Sequence, residues 1–336
     1  MPATTTNPTS LEDTQDTVWY LAYGSNMDPK VFTGRRKVQP LESIPVIAPD
    51  YWLSFDIAGI PFVEPCFASI LKIDRSRLHS RDYALEVHNR TKYGQQFFWD
   101  DKRPESAYPP VLQGVAHRIT QRDWRLVIES EGGWGHDVPT GYNQIVIPCN
   151  VVGLNKVLQA HVLEARPSSV KSHCQPTLRY KNLLTSGAAH HHLDQEYQTY
   201  LAKIVPYECD GARSKIARVL FTAFNMPMML LFAAIVFRNR GKPVDQMQRP
   251  PFWAAWMFDK AARMSTAVHD YLIMPVFGSG RRSTEAHQAV VRKRIEDQMK
   301  ERPDLAEQQA CREKEEEAGE PRSVKAVQDA VESVAE

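Results

Sequence analysis

Cysteine is scarce in this 336-residue chain: five residues, at 66, 149, 174, 209 and 311, an odd number with no Cys-x-x-Cys pair. That excludes a disulfide framework and a zinc finger, and it points to a reducing, cytoplasmic setting. Excess charge is also missing. Forty-one Lys and Arg stand against forty Asp and Glu, and a net charge of +1 argues against a dedicated nucleic-acid binder. The first seventeen residues are rich in Thr, Asp and Pro with no apolar stretch, so they read as a disordered tail rather than a signal peptide. No Gly-x-Ser-x-Gly element surrounds Ser25 or Ser130, which removes the usual signature of an acyl-serine hydrolase. After Arg281 there is no aromatic residue, and 11 basic and 14 acidic residues fill the last 56 positions. A solvated helix or a disordered tail is expected there.

What is present falls into blocks. Short apolar runs bounded by turn residues predict strands at Val18–Tyr23, Tyr51–Ile57, Cys66–Ile73, Val111–Ile119 and Tyr142–Val152. Helical spacing predicts helices over Gln121–Glu129, Leu178–Leu184 and Asp194–Ile204. Strands come in runs rather than in βαβ alternation, so residues 18–206 predict an α+β domain: a compact mixed sheet or barrel with flanking helices. A polar stretch at 74–110, holding the aromatic knot Phe97-Phe98-Trp99, is long for a connection and reads as a surface insertion or as a lid. Residues 207–280 form an apolar extension, in which Val219–Phe237 holds 16 apolar residues in 19.

Chemistry concentrates at two places. Tyr20-Leu21-Ala22-Tyr23-Gly24-Ser25-Asn26-Met27-Asp28-Pro29 reads as a strand, a glycine turn able to take a positive φ, and then a helix with Asp28 as cap and Pro29 in its first turn. N–H groups beside a helix dipole there would suit a carboxylate or an oxyanion; the plain alternative is a turn entering a helix. The second place is Ile128-Glu129-Ser130-Glu131-Gly132-Gly133. Either it is a solvated helix end, or one carboxylate points into a cleft, its pKa raised by its like-charged neighbour. His190-His191-His192 reads as a polar loop rather than a metal site, since adjacent His point apart. Arg35-Arg36-Lys37 reads as a solvated basic face, with anion contact as the alternative.

Taken together, these segments resemble the γ-glutamylcyclotransferase family. The Tyr-Gly-Ser-Asn turn after the first strand and the Glu-x-Glu-Gly segment carry the resemblance. Gly141-Tyr142 opening an apolar strand adds to it, as do Pro176-Thr177-Leu178-Arg179-Tyr180-Lys181, Gly187-Ala188 and Leu193 to Tyr197. The matches follow the family's order over residues 18 to 206. The resemblance implies a substrate loop of Tyr23, Gly24, Ser25 and Asn26, a catalytic carboxylate at Glu131, and pocket walls at Tyr142 and Tyr180. It implies a small-molecule γ-glutamyl substrate, 5-oxoproline as product, and no metal or organic cofactor. The chain departs from the family pattern in its long 74–110 segment and in a longer interval between Glu131 and Tyr142. The glutathione-specific branch has Leu where this chain has Asn26, which disfavours glutathione itself. Cyclotransferase-like proteins also occur in epidithiodioxopiperazine clusters, so a γ-glutamyl conjugate of fungal secondary metabolism fits the resemblance. The rival readings are a non-catalytic binding module of the same fold and a γ-glutamyl transferase to a second amine.

The extension has its own expectation. Nineteen mostly apolar residues approach the length that spans a bilayer core of roughly 30 Å, basic residues flank both ends, and Trp253 and Trp256 could sit at an interface. Membrane contact through 219–237 and 252–277 is therefore expected, against burial on the catalytic domain or a partner interface. Asn225 and Pro227 are the residues least at home in a spanning helix.

Overall fold

A computed structural model describes residues 17–91, 97, 99–131, 142–171, 174–239 and 252–300. Five strands close into a barrel: β1 (Thr17–Ala22), β2 (Glu42–Ala48), β5 (Leu112–Thr120), β6 (Tyr142–Val151) and β7 (Val157–Ala165). The order around it is β1-β5-β2-β6-β7, closed by a parallel contact of Tyr20 with His161. Strands β3 (Tyr51–Ile60) and β4 (Glu64–Lys72) form a separate hairpin. This is the expected α+β architecture. Alternate side chains of the barrel strands point inward, so Leu21, Ala116, Val46, Ile147, Ala160 and Val162 are buried together.

Helices flank the barrel: α1 (Arg81–Thr91), α2 (Gln121–Ser130), α3 (Leu178–His190) and α4 (Gln195–Lys203). Thr177 caps α3 by accepting the Tyr180 N–H at 3.2 Å, and Asp194 caps α4 by accepting the Glu196 N–H at 2.9 Å. The segment after Asp28 departs from the expected helix. Ser25–Met27 is a single 3₁₀ turn and Lys30–Arg35 a six-residue π-helical turn, both too short to bring a dipole to the site. Asp28 still accepts the Lys30 N–H at 2.8 Å, which shapes the turn. The 74–110 segment carries α1 and stacks Tyr108 on Trp52 at 5.1 Å, beside buried Tyr83 and Val87. Phe98, Gly132, Gly133, Gly141 and the 1–16 and 301–336 tails lie outside the described residues.

The extension is helical: α5 (Gly211–Asn239), α6 (Phe252–Val268), a π-helical turn at His269–Ile273, α7 (Met274–Phe277) and α8 (Glu285–Lys300). The expected membrane contact through 219–237 gains no support from a spanning helix. Among the described residues no helix is long and apolar enough to cross a membrane. One face of α5 instead buries Ala217, Phe221 and Asn225. The first two pack on Phe62, the residue at the tip of the β3–β4 hairpin. Phe62 has φ 65° and donates its N–H to the Gly280 carbonyl at 2.7 Å. Further on, Ser283 donates its N–H to Gln175 Oε1 at 2.8 Å and accepts the Glu208 N–H at 2.9 Å, while Val291 of α8 is buried. Charged residues dominate this last region in sequence, yet it is stitched to the body by backbone bonds.

Candidate functional site

The 3₁₀ turn at Ser25–Met27 brings the first cluster to the end of α2, where the second lies. Asn26 is buried, and its Nδ2 donates to Tyr20 Oη at 2.8 Å and to Glu131 Oε1 at 3.1 Å. Arg36 closes the network. Its Nε donates to Asn26 Oδ1 at 2.6 Å, one terminal nitrogen donates to Ser130 Oγ, and the other pairs with Glu131 Oε1. The Arg36 and Glu131 side chains are 10% and 20% exposed, so the pair is sheltered while the carboxylate keeps some access. The expectation of a solvated basic face is overturned for Arg36: three of its nitrogens are spent inside the site. The like-charge partner proposed for Glu131 was Glu129, whose side chain lies outside the described residues; the charge in contact with Glu131 is a cation.

Gly24 has φ −112°, so its value is not a left-handed conformation. It is space: a Cβ there would stand 3.0 Å from Tyr180 Oη and 3.5 Å from the Ala68 Cβ. Tyr180 in turn accepts the Ala68 N–H at 3.2 Å, and Tyr23 donates its hydroxyl to the Leu163 carbonyl. Burial is the first cause raising the phenol pKa of Tyr20, Tyr23, Tyr142 and Tyr180, and the nearby Glu131 charge adds to it in each. All four therefore stay protonated at neutral pH and act as hydrogen-bonding walls.

One cavity of about 930 Å³ gathers these groups. Tyr23, Gly24, Ser25, Asn26, Glu131, Tyr142 and Tyr180 all line it, and no described residue of the 74–110 segment does. Sequence reasoning missed two contributors. Tyr20 lay inside the quoted motif but was not singled out. The extension also lines the cavity, through residues of α5 and α6.

Comparisons with known proteins bear on this geometry. No protein-family model matches the chain. "Gamma-glutamyl cyclotransferase gliK" of Aspergillus fumigatus is 27% identical over 282 residues, covering 81% of this chain and 92% of that protein. The protein of the same description from Claviceps purpurea is 24% identical over 256 residues, covering 76% of this chain and 99% of its own. Over most of its length the chain is similar to proteins described as γ-glutamyl cyclotransferases. Because 81% of the 336 residues exceeds the 206 preceding the extension, the likeness to the Aspergillus relative runs into the extension itself. A solved structure described as "Gamma-glutamyl cyclotransferase" is 16% identical, with a TM-score of 0.41 over 58% of this chain and 92% of that one, too distant a likeness to add weight.

Proposed function

We propose that this cyclotransferase-like chain cyclises a γ-glutamyl amide, releasing 5-oxoproline and a free amine, with Glu131 as general base and then general acid. The observation that carries the reading is the Glu131 carboxylate, fixed by Asn26 and Arg36 in a cavity that the Gly24 turn also lines. Both fixing bonds fall on Oε1, so Oε2 is the oxygen we assign to the proton transfers.

The substrate's α-ammonium gives a proton to Glu131, and the freed amine attacks the γ-carbonyl carbon to close a five-membered ring. The carbonyl π electrons move to oxygen; when they return, the C–N bond to the amine partner breaks. Glu131 returns its proton to the departing nitrogen, then takes the remaining extra proton from the ring nitrogen and passes it to the released amine. The lactam leaves neutral, the amine leaves as an ammonium, and the protein ends as it began. Ring closure is intramolecular, and holding the bent conformer can supply on the order of 7 kcal/mol of the barrier. The missing side chain at Gly24 lets the substrate approach the turn, and the tyrosine hydroxyls offer donors to its polar end. Residues 18–206 supply this chemistry in our reading, in a cytoplasmic protein.

The test is release of 5-oxoproline from a panel of γ-glutamyl compounds by the full-length protein. Glu131→Gln should slow it by about 100- to 10,000-fold while leaving the fold intact, the usual worth of a general acid–base. A Glu131→Gln protein that keeps its rate overturns the assignment. A new amide in place of 5-oxoproline would mark transfer to a second amine instead. Contact of the extension's outer face with a membrane surface is a second reading, favoured by exposed Val219, Leu230, Trp253 and Tyr271. Flotation with anionic vesicles checks it, and a protein that stays at the bottom of the gradient ends it.

A further inference from the structure

The cavity is too large for the group it is proposed to process. At about 930 Å³ it lies near the top of the 300–1,000 Å³ range that accommodates a drug-sized ligand, whereas a γ-glutamyl moiety has only about nine non-hydrogen atoms. The surplus is walled by the extension. On α5 the lining residues are Phe221, Asn225, Met228, Met229 and Ala233, spaced as one face of a helix. Opposite them Ala262, Ser265, Thr266 and His269 repeat the same spacing along α6 and its π-helical continuation. Two helices thus turn one stripe each into the same space, and most of the α5 stripe is apolar.

The β3–β4 hairpin sets the direction from the reacting centre to that wall. Its Ala68 abuts the Gly24 turn, Ala58 and Ile60 line the cavity, and Phe62 at its tip packs on Phe221, with ring centroids 6.5 Å apart. The four-residue step from Ala68 to Glu64 spans about 13 Å of strand, beyond the reach of a γ-glutamyl group anchored at the turn. What meets the extension is therefore the part of the substrate on the other side of the scissile amide. The wall is held in place rather than draped. Phe62 bonds Gly280 at 2.7 Å, and His269 bonds the Ser279 carbonyl at 2.7 Å while its ring lies 5.7 Å from that of Phe221.

We propose that the helical extension is the recognition wall for the amine side of the substrate, and that it selects γ-glutamyl amides carrying a large apolar group there. This rests on the cyclisation reading of the site. It makes the extension part of the active site, with Met228, Met229 and Ala233 as specificity-determining residues.

The experiment uses the full-length chain with two probes, γ-glutamylglycine and γ-glutamyl-β-naphthylamide. Wild type should favour the naphthylamide in kcat/KM by about tenfold or more, the scale on which apolar pockets discriminate. Ala233→Trp and Ala262→Trp fill the space and should cut naphthylamide turnover by about tenfold while changing γ-glutamylglycine by less than about twofold. Met229→Ala, which enlarges the space, is the companion least able to disturb folding, and it should weaken only the naphthylamide. A wild type indifferent to the apolar group, or variants that slow both probes equally, overturns the proposal. Calorimetric binding of both probes to Glu131→Gln separates the two layers of the reading. If no probe yields 5-oxoproline but the naphthylamide binds and Ala233→Trp abolishes that binding, cyclisation falls and the wall stands. If binding too is blind to the apolar group, the wall falls.

Discussion

Gly187→Ala should destabilise this protein and loosen the substrate turn, although the same exchange in most helices does the opposite. Gly187 sits in the interior of α3, where alanine is ordinarily worth about 1 kcal/mol more than glycine. Here the helix lies against the 3₁₀ turn. A Cβ at 187 would stand 2.6 Å from the Met27 Cβ, 2.7 Å from the Met27 carbonyl carbon and 2.9 Å from the Asp28 nitrogen. Two of those three atoms are backbone and cannot swing aside, and Met27 is itself buried. Overpacking of this kind costs about 1–3 kcal/mol, more when backbone must move. Because backbone must move, the upper end of that range applies; after the propensity gain is subtracted, a net loss of about 2 kcal/mol remains, equivalent to about 4–8 °C in melting temperature. The displaced turn carries Asn26, so affinity for a γ-glutamyl ligand should fall in the same variant. Gly34→Ala is the control, because its Cβ would meet only the Pro29 carbonyl oxygen, at 3.6 Å. Thermal melts and calorimetric titration of both variants make the comparison. If Gly187→Ala melts higher than wild type and binds ligand normally, α3 does not press on the turn and the account of the site's placement is wrong.

Three further outcomes are expected. Arg36→Met should lower 5-oxoproline kcat/KM and cost about 2 kcal/mol of stability, because a hydrogen-bonded charge partner is lost from a sheltered carboxylate; Arg36→Lys should restore little, since one ammonium cannot reproduce the fork. A variant indistinguishable from wild type in rate and denaturant midpoint would return Arg36 to the solvated face. Burial depresses the Lys181 pKa from 10.5 to about 8, while its Nζ donates to the Ala202 carbonyl at 2.5 Å. The folded state therefore binds fewer protons than the unfolded chain between those values, and wild-type stability rises with pH across the window. The advantage of Lys181→Met over wild type should shrink by about 3 kcal/mol between pH 7 and pH 10.5; denaturant midpoints that keep the same gap at both values refute this. Truncation after Pro206 should leave a fragment with lowered solubility and no apolar-group preference, because Phe62 loses its cover and Gln175 its Ser283 partner; a soluble fragment with full stability by melting would contradict the packing described.

The barrel was readable where strands alternate cleanly. β1, β3, β4, β5 and β6 were each expected within one to three residues of their ends, since each pairs an apolar stripe with turn residues on both sides. β2 was missed because Pro45 breaks the strand signal and the segment is mostly half-buried. Pro45 keeps its place by accepting rather than donating: its carbonyl takes the Val152 N–H at 3.1 Å. β7 was missed for a different reason. Gln159 and His161 interrupt its apolar residues, yet they fall on the outward side while Leu158, Ala160 and Val162 are buried; the alternation breaks only at Leu163. A stricter count of period-two alternation would have found it. Arg36 was legible only as the lesser alternative, an anion contact, behind the solvated face. A basic run beside a turn looks the same whether it faces water or a carboxylate, and only the approach of α2 to the turn decides between them.

The extension shows why an apolar run is ambiguous without its neighbours. Val219–Phe237 lacks a polar face, and a helix apolar all round belongs either in lipid or in a core. Two residues argued against lipid from the start, Asn225 and Pro227, and the structure gives the first of them a place. Asn225 is 3% exposed, donates to the Phe221 carbonyl at 2.8 Å and stands in the stripe that lines the cavity. A buried amide whose neighbours along the stripe are Phe221 and Met228 is costly unless its hydrogen-bonding groups are met, and a cavity that takes a polar–apolar substrate can meet them. The stripe's composition, one amide among Phe, Met and Ala, is thus what a wall for an amine-side group requires, and neither a membrane span nor a closed core would call for it. The residue that weakened the first reading of the sequence is one by which the extension lines the cavity.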